Sequence, residues 1–323
     1  MSSALSLSGA AVIDPLAAGE TGRYSDSMVT VVHEPRLSDT VDQPPPIVRT
    51  PHFCVRRHSH RVWVGHHVRP EKLDNNLAGQ IAAELFAPGW LSGAEVFERV
   101  FTGIVKSTVD DPVQAWSRFY DNTLTALHRC WEAPHTSVHG SHSIADMLPV
   151  YRRVLELVPD GRVLDIGSCF GFLALLLAER RHNPVIATDI ASGSMKLLRT
   201  VCEQRGISMG SLVCDGARIP LPAQSVDTVT VIHLLEHLSP RHGADVLAEA
   251  VRLARRKVVV AVPLEEEPTA AYGHVRTFDL SELTALAREM RIPFHVEEHH
   301  GGWLVLDRAR AHDRISREVG AHL

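Results

Sequence analysis

Three acids stand where apolar runs stop: Asp165 in "VLDIGSCFG", Asp189 in "VIATDI" and Asp215 in "LVCDG". An acid at the end of a buried strand faces the edge where ligands of open α/β sheets bind. Asp189, twenty-two residues after Gly167, is placed to accept both hydroxyls of a ribose. Beyond them, "VIHLLEHL" supplies His233, Glu236 and His237, and "AYGHVRTFDL" supplies His274 and Arg276. An imidazole titrating near neutrality can take a proton from an alcohol, so His237 and His274 are candidate bases. His233 and His237 have the four-residue spacing of metal ligands on a helix, but no third ligand is evident nearby, so no metal is assigned.

The turn after Asp165 narrows the ligand. A dinucleotide fingerprint requires glycines where the chain has Cys169 and Phe172. A phosphate-binding P-loop requires a Lys after Gly171, and there is none. What remains is Asp165-x-Gly167-x-x-x-Gly171. Gly167 and Gly171 let the backbone approach a ligand and keep strand and helix close. Cys169 is small enough for a turn that needs no positive φ at that position, and it is read as structural.

These residues must be positioned by a repeating strand–helix pattern. Strands are expected at "RVLDIG", "PVIATDI", "MGSLVCDG", "SVDTVTVIHLL" and "RKVVVAVPL", with helices between them and a closing strand pair in "HVEEHHGGWLVLDR". Apolar strands alternating with helices predict a doubly wound, mostly parallel, seven-stranded Rossmann-like sheet over 143–307. Upstream, 1–50 reads as a disordered or extended tail. Residues 53–68 read as a small hairpin or edge strands, and 71–131 as helices, so that 51–142 forms a hairpin and helical cap beside the cleft. Asp111 and Pro112 mark one helix start. Residues 308–323 read as a frayed C-terminal tail.

Composition bounds the function classes. The chain has 323 residues, 45% hydrophobic and 22% charged, with a formal charge of −5. Its Lys and Arg are scattered, so no nucleic-acid partner is expected. Five separated Cys argue for a reducing cytoplasm rather than a disulfide framework. The start of the chain lacks the charge pattern of a signal peptide, and no apolar run is long enough for a membrane span.

The ordered set Asp165-x-Gly167-x-x-x-Gly171, Asp189, Asp215 and "VIHLLEHL" resembles class I S-adenosylmethionine-dependent methyltransferases, with Cys169 departing from their usual third glycine. The resemblance implies S-adenosyl-L-methionine as cofactor. It implies Asp165 for the methionine ammonium, Asp189 for the ribose, and Asp215 for the adenine amine. Ser168, Cys169, Ile190, Gly216 and His233 line the same site. The block 233–237 would then line the methyl-transfer site, with Glu236, His237 and His274 acting on the acceptor. His237 is preferred as base, with His274 orienting the acceptor.

A narrower resemblance runs through "SRFYDNTL", "VPLEEEPTAAYGHVRTFDL" and "EEHHGGWLVLD". It is to the mycofactocin oligosaccharide methyltransferases of actinobacteria, and it implies a glycosylated small-molecule acceptor methylated on a glucose hydroxyl. Trp63, Trp90, Trp116, Trp131 and Trp303 are candidate sugar-stacking surfaces, although each also suits a core. Three alternatives stand beside this. One is O-methylation of another sugar, a quinone or a polyketide. Another is a non-catalytic S-adenosylmethionine-binding protein. The third, a nicotinamide oxidoreductase, is disfavoured by the glycine pattern.

Overall fold

The computed structural model describes residues 13–34, 45–58, 61–132 and 143–309. The chain divides into two compact units, one from the N-terminal part with 139–143 and one comprising 127–138 and the rest.

The first unit corrects the tail reading. Arg23–Ser25 (β1) and Val29–His33 (β2) are strands, and Val29, Val31 and Val32 are fully buried. With Pro46–Arg49 (β3), Phe53–His58 (β4) and Arg61–His66 (β5) they make a five-stranded sheet in the order β1-β2-β5-β4-β3. The β4–β5 hairpin is present, but β5 lies in the middle of the sheet, paired in parallel with β2. The Ser- and Pro-rich composition masked one short apolar strand, "VTVVH", which is long enough to be buried once a partner sheet exists.

Helices α1 (Asn76–Ile81), α2 (Ala94–Thr108) and the start of α3 (Pro112–Glu132) follow as the periodicity implies. Asp111 Oδ1 accepts from the amide N–H of Gln114 at 2.8 Å, so the expected start of α3 is capped as read. Trp116 is fully buried, and its indole donates to Pro15 O at 3.0 Å. That makes it a core residue, not a sugar platform.

The second unit holds α4 (Ser143–Leu157) and a seven-stranded sheet. Its strands are β6 (Val163–Ile166), β7 (Val185–Asp189), β8 (Gly210–Val213), β9 (Val226–Ile232), β10 (Ala254–Val262), β11 (Phe294–Glu298) and β12 (Gly302–Asp307). Their order is β11-β12-β10-β9-β6-β7-β8. The pairings among β6, β7, β8, β9 and β10 are parallel, and β12 runs antiparallel to both β10 and β11. Helices α5 (Phe172–Arg181), α6 (Ser192–Arg205), α7 (Pro240–Leu253) and α8 (Leu280–Glu289) provide the intervening layers. This is the Rossmann-like architecture that the alternation implied.

The order reverses at β6, with β7 on one side and β9 on the other. In open α/β sheets such a switch point is where ligands bind, beyond the strands' C-terminal ends. Trp303, on β12, is fully buried and donates to His299 O, so it too belongs to the core. No helix among the described residues is long and apolar enough to cross a membrane.

Candidate functional site

All four β6 residues are buried, because the strand is flanked on both sides within the sheet. Asp165 sits in it at 3% exposure. Thr230 on β9 donates its hydroxyl to Asp165 Oδ1 at 2.6 Å. Burial pushes the Asp165 carboxyl up to about 6, against the pull of that hydrogen bond. Thr230 was not among the sequence candidates. Its signal was its position on the neighbouring strand, legible only once the β6–β9 register is known.

The loop after β6 turns through three left-handed residues: Gly167 at φ 74°, Cys169 at φ 50° and Gly171 at φ 76°. Side-chain bulk at Gly167 or Gly171 would press on Leu234 or Leu198, with contacts of 2.8 and 2.6 Å for an added Cβ. Cys169 is the correction here. It does adopt positive φ, a conformation costing a non-glycine residue about 1–2 kcal/mol. Its amide N–H donates to Asp189 Oδ2 at 2.9 Å, which holds the loop in that shape.

Asp189 ends β7, and its other oxygen accepts from Ala191 N at 2.8 Å. Beside it, Ile190 is 73% exposed, and Val213 at the end of β8 is 50% exposed. Two open apolar side chains at the sheet edge suit the faces of a planar base. Asp215 accepts from Ala217 N at 2.9 Å and pairs with His242 Nε2 at 3.0 Å. Gly216 packs against Ile166, where an added Cβ would come within 2.8 Å. Ser168 donates its hydroxyl to Asp165 O at 3.0 Å and its amide to Thr188 O at 2.9 Å, closing the loop onto β7.

Across the switch point the residues after β9 gather with those after β10. His233 has φ 51°, and its amide donates to Ala261 O. A short 3-10 turn, Leu235–His237, follows. The amide of Val275 donates to Glu236 O at 2.8 Å, pinning the two segments together. The His237 and His274 rings meet edge to face with centroids 4.8 Å apart. His274 Nδ1 lies 2.7 Å from Glu265 Oε2. Glu265 is a second residue that sequence reading missed; "LEEEP" offered three adjacent acids and no means of choosing among them.

Electrostatics separate these groups. Glu236 is fully buried, and neither carboxylate oxygen finds a hydrogen-bond partner among the described residues. Burial pushes its carboxyl up to about 8. Burial, aided by His274 and His237, holds His233 down at about 4. His237 is lowered too, by burial first and then by His274. At neutral pH His233 and His237 are therefore uncharged and can accept a proton or ligate. One ligating atom from each of Glu236, His237 and His274 lies within 4.8 Å of the others. The sequence pair His233/His237 pointed to this region but not to this trio.

The structure thus places Asp165, Ser168, Cys169 and Asp189 in one hydrogen-bonded loop system, and His233, Glu236, His237 and His274 in one cluster around the buried Glu236. Gly167, against Leu234, joins the two. Trp131, another candidate platform, carries the guanidinium groups of Arg180 and Arg152 at 4.3 and 5.3 Å from its ring centroid.

Residues 163–257 match the family described as "Methyltransferase domain". A ubiquinone/menaquinone biosynthesis C-methyltransferase UbiE from Burkholderia mallei is 32% identical over 137 residues, covering 42% of this chain and 49% of that protein. The Xanthomonas oryzae protein of the same name is 29% identical over 134 residues, covering 40% and 46%. The chain therefore spans about half the length of the curated relatives it matches. Among solved structures, magnesium protoporphyrin IX methyltransferase (ChlM) from Synechocystis with bound SAM aligns at TM-score 0.43 and 14% identity, covering 58% of this chain and 93% of that one. The PH0226 protein from Pyrococcus horikoshii aligns at 0.43 and 16%, covering 56% and 98%.

Proposed function

We propose that the protein is an S-adenosylmethionine-dependent O-methyltransferase whose acceptor is a glucose hydroxyl of the mycofactocin oligosaccharide. The observation that carries the methyltransferase reading is the edge of the parallel sheet. There Asp165 lies one residue before the end of β6, Asp189 ends β7 and Asp215 follows β8, three adjacent strands around a loop with three left-handed residues. The edge fits the cofactor without a phosphate cradle. Asp165 offers a buried carboxylate to the ammonium, Asp189 an edge carboxylate to the ribose, and Asp215 with Ile190 a polar and an apolar contact to adenine. When bound, the cofactor supplies an electrophilic methyl on a sulfonium.

The chain's own contribution is alignment and proton handling. His237, whose pKa is lowered by partial desolvation and by His274, is the proposed base. His274 is fixed by Glu265 through Nδ1 and orients the acceptor. The sugar acceptor is supported by the narrower sequence resemblance. Incubation with methyl-labelled S-adenosylmethionine and an oligoglucosylated acceptor, followed by mass spectrometry, tests this. Label on a glucose oxygen is expected. Label only on a ring carbon of a quinone would move the acceptor to the class named for the curated relatives. No transfer to any hydroxyl would end the O-methyl reading.

A further inference from the structure

The cluster beyond β9 and β10 has more ligating atoms than a simple base requires. Glu236 is a carboxylate at 0% exposure, and neither oxygen has a hydrogen-bond partner among the described residues; Oε1 lies 3.6 Å from Nδ1 of His233, an imidazole that burial keeps uncharged. Burying such a group without a partner is costly, and native structures usually supply one. One ligating atom from each of two imidazoles, His237 and His274, lies within 4.8 Å of a carboxylate oxygen. Two histidines and one carboxylate, with coordination positions to spare, form the donor set of catalytic zinc and of other divalent transition-metal sites.

A second layer is present as well. Glu265 Oε2 stands 2.7 Å from His274 Nδ1, the carboxylate–histidine arrangement that fixes the tautomer and orients a metal-bound ring. Nε2 is then the nitrogen free to ligate. Thr269 in turn donates to Glu265 Oε1 at 2.7 Å, so the orienting carboxylate is itself held. Donors around one ion with bonds of about 2.1 Å stand roughly 3.4 Å apart. The widest separation of 4.8 Å closes to that by about 1.4 Å, within reach of side-chain rotation.

We propose that Glu236, His237 and His274 bind one divalent transition-metal ion, oriented by Glu265. The site itself stands on this geometry; its part in catalysis rests on the methyltransferase reading above. There the ion would bind the acceptor hydroxyl and acidify it. The O–H proton would leave to water, the oxygen would form the new O–CH3 bond, and the S–CH3 bond would break with its electron pair staying on sulfur. His237 would then be a ligand rather than the base.

The test uses the full chain, stripped of metal and titrated with zinc, with manganese as a second arm. One ion per chain is expected, with affinity reduced about 10–100-fold by Glu265→Gln, the usual effect of removing an orienting partner. Glu236→Gln and His274→Ala should each abolish that stoichiometric binding. S-adenosylhomocysteine calorimetry on each variant controls for folding, since Asp165, Asp189 and Asp215 are untouched. No stoichiometric ion in the wild type, or equal binding in Glu236→Gln, overturns the site; in the second case the ion sits on surface histidines. Undiminished methyl transfer by metal-free protein in chelator overturns the ion's catalytic role and leaves His237 as base. A loaded protein that transfers no methyl leaves the metal site standing and fails the methyltransferase reading instead.

Discussion

On the β6–β7–β8 side of the sheet edge the three acids hold their surroundings. Asp165 takes the Thr230 hydroxyl, Asp189 takes two backbone amides, and Asp215 takes an amide and an imidazole. On the β9–β10 side the Glu236 carboxylate has no hydrogen bond among the described residues, only His233 Nδ1 at 3.6 Å, and burial lowers the pKa of His233 and His237. The first region is pre-organised, with carboxylates that already define the loop a ligand meets. The second centres on a buried carboxylate without a hydrogen bond, beside an imidazole, His274, that Glu265 already holds. On the proposed function the first side binds the cofactor and the second acts on the acceptor, and substitutions should separate the two.

The largest separation is expected from the imidazoles. His237→Ala or His274→Ala should cut turnover by about 10²-fold or more, the range for a general base. S-adenosylhomocysteine affinity, read by calorimetry, should stay within about twofold. Loss of binding in step with turnover would erase the proposed division. Asp189→Ala should do the reverse and weaken S-adenosylhomocysteine binding about 10–100-fold. It removes a charge-assisted contact to the ribose, worth about 1.5–3 kcal/mol, and releases the Cys169 amide.

A smaller effect concerns pH. The Asp165 carboxyl is raised to about 6 in the free protein, and an ammonium partner favours its ionised form. Binding then releases a proton below that value. Affinity should fall by up to about tenfold per pH unit as pH drops from 6 towards 4, and be flat above about 7. For folding the sign is opposite. The raised pKa means that the folded state holds the proton more tightly than the unfolded chain, so this group's contribution favours the fold below about 4 and is lost as pH rises to about 6. Affinity independent of pH from 5 to 7 would place the ammonium elsewhere. The smallest effect is at Cys169, whose left-handed backbone carries strain. Cys169→Gly should raise stability by about 0.5–1 kcal/mol in thermal melts, after the entropy cost of glycine is deducted, without changing cofactor affinity.

The parallel sheet was readable because β6, β7, β9 and β10 are largely apolar runs, each followed by a turn and a helix, and acids lie at or near the ends of β6, β7 and β8. The glycines at 167 and 171 were readable for the same reason. The backbone at Cys169 was not, since a small residue in a loop fits either sign of φ until its amide partner, Asp189, is located. Strand β2 was hidden because "VTVVH" lies in polar, proline-rich surroundings and acquires meaning only through pairing with β5, some thirty residues later. His237 and His274 were legible as reactive types. That they meet edge to face, share a ligating trio with Glu236, and lean on Glu265 depends on a loop folding back from β10. Nothing local encodes that return.

Calorimetry of the full chain with S-adenosylhomocysteine and, separately, with NAD bears most directly on the central claim that the β6–β7–β8 edge is an S-adenosylmethionine site. Binding of S-adenosylhomocysteine that is lost or sharply weakened in Asp189→Ala, with no heat from NAD, is the predicted result. Tight NAD binding, or S-adenosylhomocysteine binding untouched by Asp189→Ala, would contradict it.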